Sequence, residues 1–572
     1  MRNQAKAHEI RVESDTQEGL LMTKRNRAVT VPALLAIPVV AFMAFGGAKA
    51  RWIPAGKSMP SELIELFREW REFQKPRIVE GVPDYTAAAM KEKAKGLETF
   101  RQKLAAIDPR KWPLSKQVDY SIVRAEMNGM DFEHRVMRPW SRDPAFYAII
   151  ADSEPDVPAR EAPEIFGALG VWDLKLPLAD KDLDTFRIKL RAIPRILEQA
   201  RKNLIEESRD LWTLGIRQKT DEARALSRLA SSLAGPHPDL VPDVEGARAS
   251  VQEFLNWLEK TREGMGNVPC GVGVDNFNWS MRNVHLVPYT WEEQLRFLQG
   301  ELERSLACLA LEQHRNRDLP PLEPAADGVE LERRFDGAIS EFMSFLRDGH
   351  IFTVPDYMKL DSFQGRYFAP PGERDFFAQI DYRDPLPMRC HMFHWLEKQR
   401  MVREPHPNPI RTGPLLYNIW DSRSEGLATG LEEMLMHAGL LDRHPRSREL
   451  VYILVAMRAV RAIGDLRLNS REFGLEEAVR YAVDKTPNGW LQPEGDTVWT
   501  DMGIYLRQPG YGTSYIIGKA QIGRLLADRS RQIGAGFGLQ RFMDDFFAAG
   551  IIPVSLIRWE MTGLDDEMKI LK

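Results

Sequence analysis

The feature that most constrains the fold is a helical spacing of apolar residues, which runs from residue 61 almost to the C-terminus. Segment 61–74 begins with Ser61, a candidate N-cap, and then repeats apolar residues at intervals of three and four. A second N-terminal signature is the capping-box pattern from Thr290 to Glu293. The pattern predicts a mainly α, large multi-helix body. Further helices are predicted by the same period at 85–106, 114–129, 183–208, 220–233, 243–263 and 290–316.

Strand-like runs are few. The candidates are 350–354 (HIFTV), 376–380 (FFAQI), part of 265–274, and 284–288. Runs so scattered do not make a parallel α/β sheet. We therefore expect a small β-sheet just before a helix at 391–400.

The C-terminal third contains three segments of distinct character. Segment 447–464 is apolar around most of its circumference, which predicts a central buried helix. Segment 505–519 (YLRQPGYGTSYIIGK) gathers tyrosines and glycines around Pro509. It is either a tight helix–loop–helix connection or a substrate-binding loop. Segment 538–561 predicts a helix, a glycine stop and a restart at a proline.

The N-terminus has the pattern of an export signal. Residues 28–48 carry no charge, follow the basic run 24–27 and end at the small-x-small sequence 48–50. This pattern predicts a secretory signal peptide over 1–50, and Met22 is a more typical start than Met1. An uncleaved membrane anchor is the alternative. In either case the body of the protein is expected outside the cytoplasm, in the periplasm or the extracellular space.

That body, residues 51–572, is expected to be a single large helical domain. Helical subdomains at about 51–325 and 326–572 are an open alternative.

Composition excludes several functional classes. The 572 residues are 44% apolar and 28% charged, with a net charge of −4, so binding to nucleic acid is not expected. No dinucleotide fingerprint, Walker A loop or G-x-S-x-G elbow occurs, so neither a nucleotide cofactor nor a serine hydrolase is indicated. Three cysteines without a Cys-x-x-Cys spacing predict no disulfide framework and no structural zinc site.

A candidate metal site lies between Cys390 and Glu433. His391, His394 and Glu397 recur at intervals of three, which puts them on one face of a helix. After a proline-rich break, Glu425 and Glu432 are seven apart, on one stripe of a second helix. Two imidazoles and a carboxylate are groups from which a mononuclear metal site is commonly built.

The alternative is structural. His394 and Trp395 would then form an aromatic corner of the core, and Glu425 would be a carboxylate favoured by the helix dipole.

Three blocks of the chain resemble family 885 of bacterial domains of unknown function, a helical group related to the gluzincin-like metallopeptidases. The resemblance extends from about residue 60 to the end. It implies an oligopeptidase-type helical body and a zinc-dependent peptidase or amide hydrolase. The blocks are EGLATGLEEMLMHAGLL (425–441), QPGYGTSYIIGK (508–519) and FMDDFFAAGIIPVSLI (542–557).

The chain departs from this family where catalysis is expected. The family's His-Glu-x-x-Pro-Gly-His corresponds to HMFHWLE (391–397), in which only the first histidine is kept. Met392 replaces the catalytic glutamate and Glu397 the second histidine. Elsewhere, Met543 replaces a usual histidine and Asn469 stands near another, whereas Glu425 and Tyr515 are retained.

The resemblance implies a rebuilt site in which His391, His394 and Glu425 bind one divalent ion, most naturally zinc. Glu397 would act as a displaced general base and Tyr515 as an oxyanion donor. Arg507 and Tyr511 would contact a peptide or small-molecule substrate, and Glu432 would support a ligand from behind.

Three functions remain open. The first is an exported metallopeptidase-like hydrolase of peptide or related amide bonds. The second is a non-catalytic periplasmic protein that binds peptides or small molecules in the same cleft. The third is a different metal-assisted hydrolysis. A membrane is expected as a partner only through an uncleaved N-terminus, and the oligomeric state is left open.

Overall fold

The computed structural model describes residues 61–152, 168–172, 174–361, 367–413, 415–417 and 419–571. The predicted signal peptide or anchor at 1–50 lies outside these ranges. Within them, no helix combines the length and the apolar character needed to cross a bilayer.

The described residues are mainly α-helical, as the apolar period predicts. The N-terminal half contains α1 (Ser61–Phe73), α2 (Ala87–Ala105), α3 (Leu114–Phe132), α4 (Pro139–Arg142), α5 (Asp180–Asn203), α6 (Arg209–Leu233), α7 (Val241–Arg262), α8 (Val274–Ser280) and α9 (Trp291–Arg315). The C-terminal half contains α10 (Gly328–Asp348), α11 (Phe376–Asp381), α12 (Leu386–His391), α13 (Phe393–Arg403), α14 (Asp421–His437), α15 (Ser447–Ser470), α16 (Leu475–Lys485), α17 (Asp496–Arg507), α18 (Tyr511–Ile533), α19 (Leu539–Ala548), α20 (Val554–Thr562) and α21 (Asp566–Leu571).

The start of α9 shows how sequence sets a helix boundary. The Thr290 side chain accepts a hydrogen bond from the Glu293 backbone N–H at 3.3 Å. In return, the Thr290 backbone N–H donates to the Glu293 carboxylate at 2.8 Å. The predicted capping box is therefore present, and it satisfies two backbone donors that a helix start leaves open.

The prediction of a small β-sheet just before a helix at 391–400 is wrong. Segment 376–380 lies instead in α11, because the Asp375 carboxylate accepts a hydrogen bond from the Ala378 N–H and caps a helix. A short apolar run does not by itself separate a strand from a buried helix. The other candidates, 265–274, 284–288 and 350–354, also form no strand. The strands of the described residues are β1 (Ile78–Val79) antiparallel to β2 (Val82–Pro83), and β3 (Ile150–Ala151) parallel to β4 (Leu169–Gly170).

Helix α15 lies at the centre of the main core. All of its residues from Leu450 to Leu466 are buried, which confirms the central helix predicted at 447–464. It packs against α9, α16, α17 and α18. A second apolar core is formed largely by α5, α6 and α7.

Helices α14 and α18 cross with their backbones in contact. A Cβ on Gly518 would lie 2.0 Å from the carbonyl oxygen of Ser422, and one on Gly426 would lie 2.4 Å from the backbone of Gly518. Only glycine permits this approach. The crossing brings the start of α14, with Glu425, next to the start of α18.

Candidate metal centre

The two histidines of the predicted site lie on different helices. His391 is the last residue of α12 and His394 lies in the first turn of α13. Between them Met392 has ψ near 4°, which interrupts the helix. The expectation of one continuous helix over 391–397 is therefore wrong, because the backbone turns at the residue that stands in place of the family's glutamate.

Despite this break, His391, His394 and Glu425 converge. One ligand atom from each of the three side chains lies within 4.8 Å of the other two, and all three residues are buried. The Glu425 carboxylate oxygen Oε2 is 3.3 Å from Nε2 of His394 and 3.9 Å from Nε2 of His391.

This donor set fits a divalent cation. Ligand distances of about 2.0–2.2 Å to zinc require ligand atoms roughly 3.3 Å apart, so only a small inward movement is needed. Two imidazoles and one carboxylate are also a ligand set of catalytic zinc sites, which keep a fourth position open.

Burial and neighbouring charge set the protonation of the ligands. Burial lowers the pKa of His391 well below its usual value, and the Arg458 guanidinium lowers it further, so this imidazole is neutral. Burial alone would raise the pKa of Glu425, but the interaction with His394 outweighs it and the pKa falls to about 2. The neutral form of His391 and the ionised form of Glu425 are the forms that bind metal, and His394 must likewise be neutral to act as a ligand.

The connection between α17 and α18 brings two tyrosines to the centre. Tyr511 donates a hydrogen bond of 2.5 Å to Oε1 of Glu425, so it orients the carboxylate. The ring of Tyr515 lies nearly parallel to that of His391, with centroids 6.3 Å apart. The connection is a tight turn through Gly510, at φ 93°, which confirms the helix–loop–helix interpretation of its backbone.

Glu432 and Arg458 contact Nδ1 of His391, whereas Nε2 of the same ring is the nitrogen nearer to Glu425. Arg458 donates two hydrogen bonds to the Glu432 carboxylate, at 2.6 and 2.7 Å. Nδ1 of His391 lies 3.2 Å from Nη2 of Arg458 and 3.3 Å from Oε1 of Glu432. Burial raises the pKa of Glu432 to about 7, although Arg458 opposes this.

The predicted base, Glu397, lies elsewhere in the site. Its carboxylate pairs with the buried guanidinium of Arg423 and does not belong to the three-residue cluster. Arg423 in turn packs against the rings of Phe546 and Phe547. Because α13 starts only at Phe393, Glu397 does not continue a face shared with His391. Its role as a base remains a prediction.

Arg507, predicted to bind substrate, is held by Asp143. Nε of Arg507 donates to the Asp143 carboxylate at 2.9 Å. Arg507 also lines a large cavity, together with Gln508 and Pro509. Asp143 and Arg458 are residues of the site that were not predicted from the sequence. For Arg458 a signal was present, because a charged residue within an apolar helix such as 447–464 requires a buried partner.

Comparisons with known proteins agree with the sequence resemblance. Residues 408–561 match the family described as bacterial protein of unknown function (DUF885). The matched segment includes Glu425, Arg458 and Tyr511, whereas His391 and His394 precede it. None of the curated proteins matches the chain significantly.

Two solved structures share the fold. One is a candidate lipoprotein of unknown function from Shewanella oneidensis, at a TM-score of 0.65 and 14% identity over 88% of this chain and 100% of that one. The other is a candidate lipoprotein from Colwellia psychrerythraea, at 0.60 and 13% over 87% and 97%. At these identities the likeness concerns the fold alone.

Proposed function

Since residues 408–561 of this chain match the DUF885 family, we propose that the protein is an exported metallopeptidase-like hydrolase of peptide or related amide bonds. It holds one divalent ion, most naturally zinc. The observation that carries the proposal is the convergence of His391, His394 and Glu425 in one buried cluster. Export is supported by the signal pattern within residues 1–50 and by the candidate lipoproteins that share the fold.

Each residue near the cluster has a defined part in this proposal. A bound divalent ion acidifies water and polarises a carbonyl group. His391, His394 and Glu425 hold the ion, and Tyr511 fixes the orientation of Glu425. Tyr515, which packs beside His391, is the proposed donor to the oxyanion of the scissile group.

Glu397 needs a rearrangement to act as a base. Its carboxylate is paired with the buried guanidinium of Arg423, outside the three-residue cluster. It can reach a water at the ion only after this pair opens.

Metal content tests the site. We expect close to one zinc or similar ion per chain in the purified protein, and its loss in Glu425→Ala. A matched control is Glu341→Ala, which removes a carboxylate that contacts His444 outside the cluster and should leave metal content unchanged. Absence of metal above background, even after incubation with zinc, would overturn the proposal.

Activity is tested next on the metal-loaded protein. A mixture of unmodified peptides is incubated with the wild type and with Glu425→Ala, and new termini are identified by mass spectrometry. Cleavage by the wild type alone supports the hydrolase.

A binding protein without catalysis is the second candidate. It is favoured by Met392 at the position of the family's general base and by the pairing of Glu397 with Arg423. In that case peptides bind to the loaded protein and are recovered intact. Cleavage of another amide or ester, with peptides untouched, would indicate a different metal-assisted hydrolysis.

A further inference from the structure

The connection between α17 and α18 contacts a second site besides the candidate metal centre. Leu506, Arg507, Gln508 and Pro509 line a cavity of about 310 Å³. Gly510 follows this run. The next residue, Tyr511, donates a hydrogen bond to the candidate ligand Glu425. A short stretch of backbone therefore joins the wall of the cavity to the metal cluster.

Two π-helical turns contribute residues to the cavity wall. Glu133–Met137 continues α3 and Met281–His285 continues α8, and each ends at a residue with positive φ. The two units are linked, because Nδ2 of Asn128 donates to the carbonyl oxygen of Asn283 at 3.0 Å. Single π-turns are rare and occur frequently at functional sites, so finding two around one cavity points to ligand binding.

The cavity is mostly apolar but contains a fixed cationic group. Asp143 holds Nε of Arg507, whereas Nη2 of the same guanidinium is buried and has no hydrogen-bond partner. Nε2 of His134, also in the wall, is likewise buried without a partner. The Arg507 side chain is 27% exposed and lines the cavity, so the accessible part of its guanidinium can donate to an anionic group.

We propose that this cavity binds the C-terminal residue of a peptide, with its carboxylate on the accessible part of the Arg507 guanidinium. The apolar side chain of that residue packs on the surrounding wall. A volume of about 310 Å³ suits one medium-sized residue. The assignment of the ligand as substrate rests on the proposed function. The apolar wall includes Met130, Phe132, Met137, Phe146 and Val284.

Binding is measured by calorimetry on the full chain, free of metal and in the presence of a chelator. The probes are N-acetyl-leucine and its uncharged amide, N-acetyl-leucinamide. We expect the acid to bind at least about tenfold more tightly than the amide, since a charge-assisted hydrogen bond is lost in the amide. Equal binding of the two probes, or binding of neither, would overturn the proposal.

Two variants locate the site. Arg507→Gln should weaken binding of the acid about tenfold or more and leave the amide unchanged. The matched control Arg248→Gln, at an exposed arginine paired with Glu245, should change neither. Met137→Trp fills the apolar part of the cavity while keeping Arg507 and Asp143. It should weaken the binding of both probes. Unchanged binding in a folded Arg507→Gln or Met137→Trp protein contradicts the proposal, and the second variant decides if the first does not fold.

The same measurement separates the two proposals. The chelator removes metal from the assay, so binding of N-acetyl-leucine is measured without any contribution from the metal centre. Acid-selective binding in a protein that neither holds metal nor cleaves peptides would leave the cavity assignment intact and refute the hydrolase. Peptide cleavage without acid-selective binding would do the reverse.

Discussion

Nδ1 of His391 lies between two groups that require opposite protonation. Arg458 is only a donor, so its contact with Nδ1 needs an unprotonated nitrogen. When the Glu432 carboxylate is ionised it only accepts, so its contact then needs a proton on Nδ1. A metal on Nε2 leaves the proton on Nδ1, and Glu432 then becomes the partner that fixes the tautomer.

This arrangement predicts that Glu432→Gln weakens metal binding without removing a ligand. Loss of such an outer partner typically costs about 10–100-fold in metal affinity. Competition with a chromogenic chelator measures the affinity.

The neighbouring Glu433→Gln is the matched control for that experiment. Glu433 pairs with Arg304 and Lys519, away from His391. It should lower thermal stability and leave metal affinity within about twofold. Equal loss of affinity in both variants would indicate a general effect on folding, in which case Glu432 has no specific role at the metal.

The pair of Glu397 with Arg423 distinguishes structure from catalysis. Both side chains are buried, so Glu397→Leu leaves an uncompensated guanidinium and should destabilise the protein by about 3 kcal/mol or more. The double variant with Arg423→Leu should recover most of that loss. Urea unfolding measures all three proteins.

If Glu397→Gln instead retains stability and abolishes hydrolysis, Glu397 is the general base. That outcome would mean that the carboxylate leaves Arg423 during the reaction.

The sequence predicts the residue types of the site better than their partners. His391, His394 and Glu425 follow from a histidine spacing and a family resemblance, and the structure brings them together. Arg458 was missed, because its contact with Glu432 joins residues 26 positions apart on two helices. Such a contact depends on how the helices pack, which a local pattern does not contain.

At the scale of elements, long periodic segments were predictable and short ones were not. Helices such as α9 carry several turns of apolar period and a capping box, so their position follows from the chain alone. Residues 376–380 are too short for a period to distinguish helix from strand, and the cap from Asp375 decides. The turn at Met392 could not be predicted, because neither it nor its two neighbours in the chain is a proline or a glycine.

The crossing of α14 and α18 depends on glycine at the contact. Gly518→Ala would place a methyl group 2.0 Å from the Ser422 carbonyl oxygen, so the helices must separate. We expect destabilisation of about 1–3 kcal/mol, together with weaker metal binding, because the same crossing positions Glu425.

Gly523 in the same helix is the matched control, because nothing lies within 4 Å of a Cβ at that position. Gly523→Ala should raise stability by up to about 1 kcal/mol, as alanine is the better helix former. Thermal unfolding of the two variants tests the contrast. A Gly518→Ala protein as stable as the wild type would show that the crossing tolerates a wider separation.

At the scale of the whole molecule, a partly buried ionic network ties three core helices together. Arg304 of α9 binds the Glu433 carboxylate of α14 through two hydrogen bonds of 2.9 Å. Lys519 of α18 pairs with the same carboxylate and donates to Glu301 at 2.6 Å. The network lies beside the central helix α15, where its loss affects the packing of the main core.

This network predicts a loss of stability in acid. Burial alone would raise the pKa of Glu433, but Lys519 and Arg304 outweigh it and lower the pKa from 4.5 to about 2. The pKa of Glu433 is thus lower in the folded than in the unfolded protein. The stabilisation that this carboxylate contributes is therefore complete above pH 4.5 and is lost as the pH falls toward 2. The contribution of Glu433 to the free energy of unfolding is on the order of 2–3 kcal/mol.

Urea unfolding of the metal-free wild type and Glu433→Gln, at pH 7 and pH 3, measures this contribution. The wild type should lose more stability between these values than the variant does, since the variant has no carboxylate to protonate there. Parallel losses would show that the acid sensitivity arises at other carboxylates.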